Sequence, residues 1–152
     1  MIEVKNSEYG LYQGKLYRIG KTCVVSVDLC SINPDDLNNG FICNHTEDFI
    51  KKYGFVCIKE VPRNEITEAY EIRTYAIYRG KKFDVNPWYE DIQLIIGFDR
   101  ITEADKIKEI KSWGFTELQF ERTSTTFEKI VSLDDPELKI IEERKTLDIS
   151  KL

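Results

Sequence analysis

Tyr75–Val85 reads YAIYRGKKFDV, and Tyr9–Ile19, near the start of the chain, reads YGLYQGKLYRI. At matching positions both segments carry two tyrosines, an aliphatic residue between them, a Gly-Lys pair, an aromatic residue and a final β-branched residue. This much agreement within 152 residues indicates an internal repeat. The sequence therefore predicts two copies of one module, residues 1–70 and residues 71–152, packed as one compact unit.

Each copy begins with a pattern typical of antiparallel strands. Gln13-Gly14 predicts a tight hairpin turn, because glycine adopts positive φ without a Cβ clash. Gly20-Lys21 predicts a second turn, after which Cys23–Leu29 alternates between apolar and polar residues. Ile92–Phe98 repeats that alternation in the second copy. Each copy is therefore expected to start as a three-stranded meander.

A helix and a closing strand are predicted to follow each meander. Thr46 is a candidate N-cap for a short helix, and Thr102 is its counterpart before the helix Glu103–Trp113. Phe55–Val61 then reads as the closing strand of the first copy, and Asn64–Tyr70 as a helical or turn-like bridge.

The predicted fold class is α+β, with a mostly antiparallel sheet built from two tandem β-meander, helix and strand modules. Repeats fused in one chain often resemble a symmetric dimer, so a pseudo-twofold arrangement is expected. The second copy adds a hairpin, Glu117–Val131, that has no equivalent in the first. Arg144–Leu152 reads as a polar C-terminal tail.

Composition narrows the classes of function. The net charge of −5 argues against nucleic-acid binding, which depends on lysine and arginine neutralising phosphates. No apolar run approaches the length of a membrane span, so a soluble, cytoplasmic protein without a membrane partner is expected. The cysteines lack metal-site spacing and are interpreted as reduced, buried thiols at Cys23, Cys30, Cys43 and Cys57.

The sequence gives no pattern for catalysis, a metal or a cofactor. Cys43 and His45 are two residues apart, but no third group is placed to orient the imidazole. The Gly-Lys pairs lack the glycine spacing of a phosphate-binding loop, and the Asp-Asp pairs lack the spacing of a calcium loop. The protein is therefore predicted not to be an enzyme.

The predicted partner-binding residues lie mainly in Pro87–Asp91, interpreted as a loop longer than the Gly20-Lys21 turn. Trp and Tyr commonly anchor protein interfaces, and carboxylates steer a basic partner. A second Asp-Asp turn contributes two further carboxylates. The predicted set is Trp88, Tyr89, Glu90, Asp91, Asp35 and Asp36.

The tandem Tyr-x-x-Tyr-x-Gly-Lys-x-aromatic opening, with its short helix, aromatic-Gly-Phe segment and closing strand, resembles small bacterial immunity proteins. These proteins are encoded beside secreted polymorphic toxins. The resemblance spans roughly 9–138 and implies a non-enzymatic protein, monomeric or homodimeric, that binds and blocks a cognate and possibly basic toxin. Two alternatives remain open, an adaptor or structural domain of a phage or mobile element, and a small hydrolase with a site between the modules.

Overall fold

The computed structural model describes residues 3–120 and 124–152. These residues form ten β-strands: β1 Asn6–Tyr12, β2 Lys15–Thr22, β3 Ser26–Ser31, β4 Cys57–Pro62, β5 Ile66–Tyr78, β6 Lys81–Trp88, β7 Asp91–Gly97, β8 Thr116–Phe120, β9 Ser124–Ser132 and β10 Leu138–Leu147. The α-helices among them are α1 Glu47–Tyr53 and α2 Ala104–Ser112. Short 3₁₀ segments lie at Pro34–Asn39, Arg63–Glu65, Phe98–Arg100 and Ile149–Lys151. Seven pairs of neighbouring strands run antiparallel, so the predicted α+β class with a mostly antiparallel sheet is confirmed.

The chain divides into two compact units. The first unit contains Asn6–Ile72 and Arg144–Leu152, and the second contains residues 3–5 and Arg73–Glu143. The division therefore falls inside β5, and a second crossing falls inside β10.

In the first unit the strand order is β4-β3-β2-β1-β5. Val27 and Leu29 on β3 alternate with polar residues and have no exposed surface, and Val61 on β4 pairs directly with Val27. Burial of one face of a strand is the main source of its stability in a sheet of this kind. The buried core of the unit is Tyr12, Tyr17, Ile19, Val27, Leu29, Phe41, Cys57, Val61 and Ile66.

In the second unit the strand order is β5-β6-β7-β9-β8. The hairpin predicted at Glu117–Val131 is present as β8 and β9, and its tip at 121–123 lies outside the described residues. β9 pairs with β7, so β8 is separated from the meander by one strand. Ile110 on α2 is fully buried in the same core as the strands, which includes Phe83, Val85, Ile92, Leu94, Phe115, Phe127 and Val131.

The two hairpins that carry the repeated sequence have matching turns. Gln13 and Gly14 have φ values of 50° and 79°, and Arg79 and Gly80 have values of 50° and 81°. Positive φ at both central residues defines the type I′ turn, whose twist matches that of the flanking strands. The predicted turn at Gln13-Gly14 is confirmed.

The predicted turn at Gly20-Lys21 is wrong. β2 continues to Thr22, and the link to β3 is formed by residues 23–25. Gly20 serves a different purpose, because a Cβ there would lie 3.0 Å from the Cys30 Sγ atom. The β2–β3 register also shifts between Ile19 and Thr22, so an irregular strand replaces the expected turn.

Three other boundaries differ from the predictions. β5 begins at Ile66, so most of the expected bridge Asn64–Tyr70 is strand. Phe98 does not continue the inward face of β7, because the strand ends at Gly97 and a 3₁₀ segment follows. α2 begins one residue later than predicted, and its N-cap is Glu103, without a side-chain cap.

The C-terminal residues are not a polar tail. Ile149 and Leu152 pack against the first unit's core, since the 3₁₀ segment turns these two apolar side chains inward. Arg63 Nη1 donates to the carbonyl oxygens of Ile149 and Leu152 at 2.9 and 2.8 Å, and its Nη2 donates to that of Cys23. Hydrogen bonds from the Arg63 side chain and apolar contacts thus hold a segment whose composition alone indicates fraying.

Candidate functional site

The hairpin of β6 and β7 ends in a two-residue turn, Tyr89-Glu90. Trp88 and Asp91 are the last paired residues, and Tyr89 has a φ of 52°. The prediction of a longer loop at Pro87–Asp91 is therefore wrong. Both strands extend to the turn, and Pro87 itself pairs with Ile92.

Two aromatic side chains project from this turn. Tyr89 is 81% exposed and Trp88 is 48% exposed. Their rings meet edge to face, with centroids 5.8 Å apart and planes at 89°. This arrangement is favourable for aromatic pairs, so each ring limits the other's movement while leaving apolar surface exposed.

The alternation of side chains along the strands places Ile130 on the same face as Trp88, which the sequence alone does not reveal. Val85 on β6 and Ile92 on β7 face the core, so Trp88 and Gln93 lie on the opposite face. Gln93 pairs with Ile130 on β9, and Ile130 is 47% exposed. We call Trp88, Tyr89, Glu90, Asp91 and Ile130 the tip patch.

The tip patch is acidic at its edge. Glu90 lies in the turn, Asp91 pairs with Ser132, and Glu128 accepts a hydrogen bond from Gln93. Among the described outward positions of β7 and of the β9 residues paired with them there is no lysine or arginine. The outward side chains at these β7 and β9 positions are therefore acidic or neutral.

Asp35 and Asp36 belong to the first unit, and only Asp35 is exposed. Asn33 caps the 3₁₀ segment by accepting from the Asp35 backbone N–H at 3.0 Å. Asp36 has no exposed surface, so its predicted role in a partner surface is wrong. The short helix turns its side chain toward β2 and β3 while Asp35 remains in solvent.

The Asp36 carboxylate is the centre of a buried polar cluster. Its Oδ1 accepts from Tyr17 Oη at 3.2 Å and from Asn39 Nδ2 at 3.0 Å. Its Oδ2 accepts from Ser31 Oγ at 2.5 Å, and Lys15 Nζ donates to both oxygens at 3.1 and 3.2 Å. A buried charge requires this degree of satisfaction, and the cluster joins the segment after β3 to β2.

These contacts determine the protonation of Asp36. Burial alone would raise the pKa of its carboxyl group, but hydrogen bonds from Ser31, Asn39 and Lys15, with the Lys15 charge, lower the pKa from 3.8 to about 2. The hydrogen bond to Asp36 raises the pKa of Lys15, and burial raises the pKa of Tyr17. The carboxylate has all its partners within the chain, which identifies this cluster as structural.

The candidate thiols and the imidazole belong to the first unit, whereas the tip patch belongs to the second. The His45 ring stacks on Phe49, with centroids 4.1 Å apart. Cys30 and Cys57 are buried and Cys43 is half-buried. Cys23 is exposed, so the prediction of buried thiols is wrong there, because Cys23 lies on the link between β2 and β3.

The first unit also has an open cleft of about 600 Å³. It is lined by Val24, Val25, Pro62, Arg63, Asn64, Ile66, Ile149 and Ser150. Within residues 3–120 and 124–152, no group of three or more His, Cys, Asp or Glu side chains is placed to hold a metal ion. No helix in the same residues is long and apolar enough to cross a bilayer.

The mostly antiparallel strands and the two short helices of the described residues define the chain as an α+β protein. The family model described as Uncharacterised conserved protein UCP033725 matches residues 4–150, so the chain belongs to that family. Searches of curated proteins and of solved structures found no match.

Proposed function

We propose that this chain is a non-catalytic binding protein that neutralises a cognate bacterial toxin by direct contact through the tip patch. The toxin class comes from the resemblance of the tandem sequence pattern to immunity proteins. The binding surface comes from the geometry of the β6–β7 turn. The experiment below tests the two parts separately.

The observation that carries the proposal is the conformation of Tyr89. A non-glycine residue at positive φ costs roughly 1 kcal/mol or more, and a large aromatic is uncommon there. Tyr89 adopts this conformation at a turn where its side chain is 81% exposed and buries little. Gln13 and Arg79 share this backbone conformation, so the distinguishing feature of Tyr89 is a large aromatic side chain exposed at the turn, which suits a role in binding.

Charge supports a basic partner. Glu90 and Asp91 flank the aromatic pair, and the whole chain carries a net charge of −5. Carboxylates around an apolar anchor increase the rate at which a cationic partner is captured. Trp88, Tyr89 and Ile130 would then supply the desolvated contact at the centre.

We also propose that the two units descend from one duplicated module. The order of three strands, a 3₁₀ segment, a helix and a strand occurs from β1 to β4 and again from β5 to β8. The matched type I′ turns at Gln13 and Arg79 support the same interpretation. The pseudo-twofold arrangement stays a prediction.

The test uses the full-length chain and the secreted toxin encoded directly upstream of its gene. Trp88→Ala with Glu90→Lys should weaken toxin affinity at least 30-fold, roughly 2 kcal/mol, because an anchor is lost and a carboxylate is reversed. Isothermal titration calorimetry measures the affinity, and growth of toxin-expressing cells measures protection.

Tyr53→Ala with Glu65→Lys is the matched control, since it removes one exposed aromatic and reverses one exposed carboxylate in the first unit. This variant should bind within about threefold of the unmodified chain, a difference below 1 kcal/mol. If the two variants weaken binding equally, the tip patch is not the interface. If the upstream gene encodes no toxin, or the toxin is not bound, the toxin assignment is wrong.

A further inference from the structure

Cys43 lies opposite Cys57 across a short antiparallel pairing in the first unit. Ile42 and Ile58 form an isolated bridge and exchange both backbone hydrogen bonds, each 2.9 Å long. In antiparallel geometry the next residues, Cys43 and Cys57, form a non-hydrogen-bonded pair, whose Cα atoms are typically ~4.5 Å apart. Disulfides form when Cα atoms are ~4.4 to 6.8 Å apart.

Both thiols are on the same side of this pairing. Cys57 belongs to the buried core of the unit, and Cys43 packs against that core. The intervening positions point the other way, since Ile42 and Ile58 are exposed. The two thiols therefore lie on the same side of the isolated bridge, at neighbouring positions in its antiparallel register.

We propose that Cys43 and Cys57 form a reversible disulfide in response to hydroperoxides. This is a modification site of the first unit and does not depend on toxin binding. Both cysteines are free thiols in this structure, which is the reduced state of the proposed pair.

The chemistry assigns different roles to the two cysteines. Cys43 is half-buried, so peroxide can reach it. Its thiolate attacks a peroxide oxygen, the O–O bond breaks, and Cys43 becomes a sulfenic acid. The other peroxide oxygen leaves as water. The Cys57 sulfur then attacks the sulfenic sulfur, forms the S–S bond and releases a second water. Two thiols are oxidised and one hydrogen peroxide is reduced to two waters.

Burial makes Cys57 the second of the two to react. It raises the pKa of the Cys57 thiol, and the charges of Asp36, Cys43 and Cys30 raise it further, although a hydrogen bond from Ser31 has the opposite effect. The Cys57 thiol donates a hydrogen bond to the Ser31 carbonyl oxygen at 3.5 Å and is fully buried, so peroxide reaches Cys43 first.

The disulfide would close the segment from Cys43 to Cys57, which contains α1. Both ends of that segment would then be fixed to each other. The oxidised chain should be more resistant to heat, because closing a loop of about 15 residues restricts the unfolded chain.

Cys30 provides a matched control from the same sheet. It pairs with Ile58, so it lies on the exposed-isoleucine side of β4, and the Cys57 side chain lies on the opposite side. Cys30 is also buried, so its removal tests the loss of a buried thiol without removing the proposed pair.

The experiment treats the full-length reduced chain with hydrogen peroxide, blocks the remaining thiols and maps the products by mass spectrometry. Cleavage after lysine combined with cleavage before aspartate places the four cysteines on separate peptides. The expected product is a Cys43–Cys57 linked peptide and an intact mass lower by about 2 Da, both reversed by dithiothreitol. The melting temperature of the oxidised chain should rise by roughly 5–10 °C.

Cys30→Ser should retain the linked peptide and the rise in melting temperature, and Cys43→Ser should lose both. Stable sulfinic acid on Cys43 beside a free Cys57 would overturn the proposal, as would links formed mainly through Cys23 or Cys30. An oxidised chain that melts below the reduced one would also overturn it. The peptide map of the unmodified chain decides the matter even if a variant fails to fold.

Discussion

At the scale of single residues, Asp36 shows what the local sequence can and cannot predict. Asp35 and Asp36 are adjacent and chemically identical, and turn propensity treats them alike. One is in solvent, and the other is the centre of a buried cluster whose partners Lys15 and Tyr17 lie on β2. The sequence correctly indicates a turn here, but only the packing of the 3₁₀ segment decides which carboxylate is buried.

Asp36→Asn should lower the free energy of unfolding by about 2–3 kcal/mol at pH 7, because a charged acceptor with four donor groups is lost. The folded pKa of Asp36 is about 2, below the ordinary value of 3.8. Its contribution is therefore present above pH ~4 and lost as the pH falls through about 2. Urea unfolding at several pH values should show the gap between the two proteins shrinking by on the order of 2 kcal/mol over that range.

Asp35→Asn is the control, since the changed carboxylate is exposed and one position away. It should alter stability by less than about 0.5 kcal/mol at every pH. A gap for Asp36→Asn that stays constant down to pH 2 would contradict the account of its ionisation.

At the scale of elements, turns with glycine were predictable and irregular strands were not. The turn at Gln13-Gly14 follows from its residue types, because glycine readily adopts the positive φ that a type I′ turn requires. Glycine at position 20 is explained instead by the close approach of Cys30 from β3, which depends on tertiary packing. The helix N-caps were likewise only partly predictable. A threonine precedes both helices, but it caps only α1.

Thr46→Ala should destabilise the chain by about 1 kcal/mol, because the Thr46 hydroxyl accepts from the Phe49 N–H at 3.2 Å and satisfies a free donor of α1. Thr102→Ala should have an effect below about 0.5 kcal/mol, since α2 has Glu103 at its N-cap and no side-chain cap. Thermal unfolding of the two variants measures the difference. Equal losses would show that Thr46 contributes no capping energy.

Tyr89→Gly should separate stability from binding. Glycine at a φ of 52° relieves strain, so the free energy of unfolding should rise by about 0.5–1 kcal/mol. Toxin affinity should fall at least tenfold, about 1.4 kcal/mol, because an exposed aromatic anchor is removed. Chemical denaturation and calorimetry measure the two effects on the same samples.

Gln13→Gly is the control for this separation, because Gln13 also has a positive φ, 50°, in a tight turn, and that turn belongs to the first unit. It should gain a similar stability and leave affinity unchanged. A Tyr89→Gly variant that binds the toxin as tightly as the unmodified chain would contradict the proposal that Tyr89 is a binding side chain.

At the scale of the whole molecule, the repeated sequence and the α+β class were predictable because they follow from local pattern. The position of β9 between β7 and β8 was not, because it depends on long-range pairing. For the same reason Ile130 was missed, since only its register with Gln93 places it on the same face of the sheet as Trp88. The division within β5 also has no local signal, because the strand continues through it.

The net charge of −5 leads to a prediction about association with a basic toxin. Raising the salt concentration from 0.05 to 0.5 M should slow association roughly 10-fold or more, since screening weakens electrostatic steering. The dissociation rate should change much less, because the apolar anchors are little affected by salt. Stopped-flow mixing measures both rates, and an association rate independent of salt would contradict the electrostatic part of the proposal.

Amide hydrogen exchange of the chain, with and without the proposed toxin partner, tests the tip patch as the binding surface most directly. The account predicts slower exchange at residues 86–93 and 128–132 in the complex, with little change at the control turn Gln13-Gly14. Protection confined to other segments, such as those lining the cleft of the first unit, with none at residues 86–93, would contradict it.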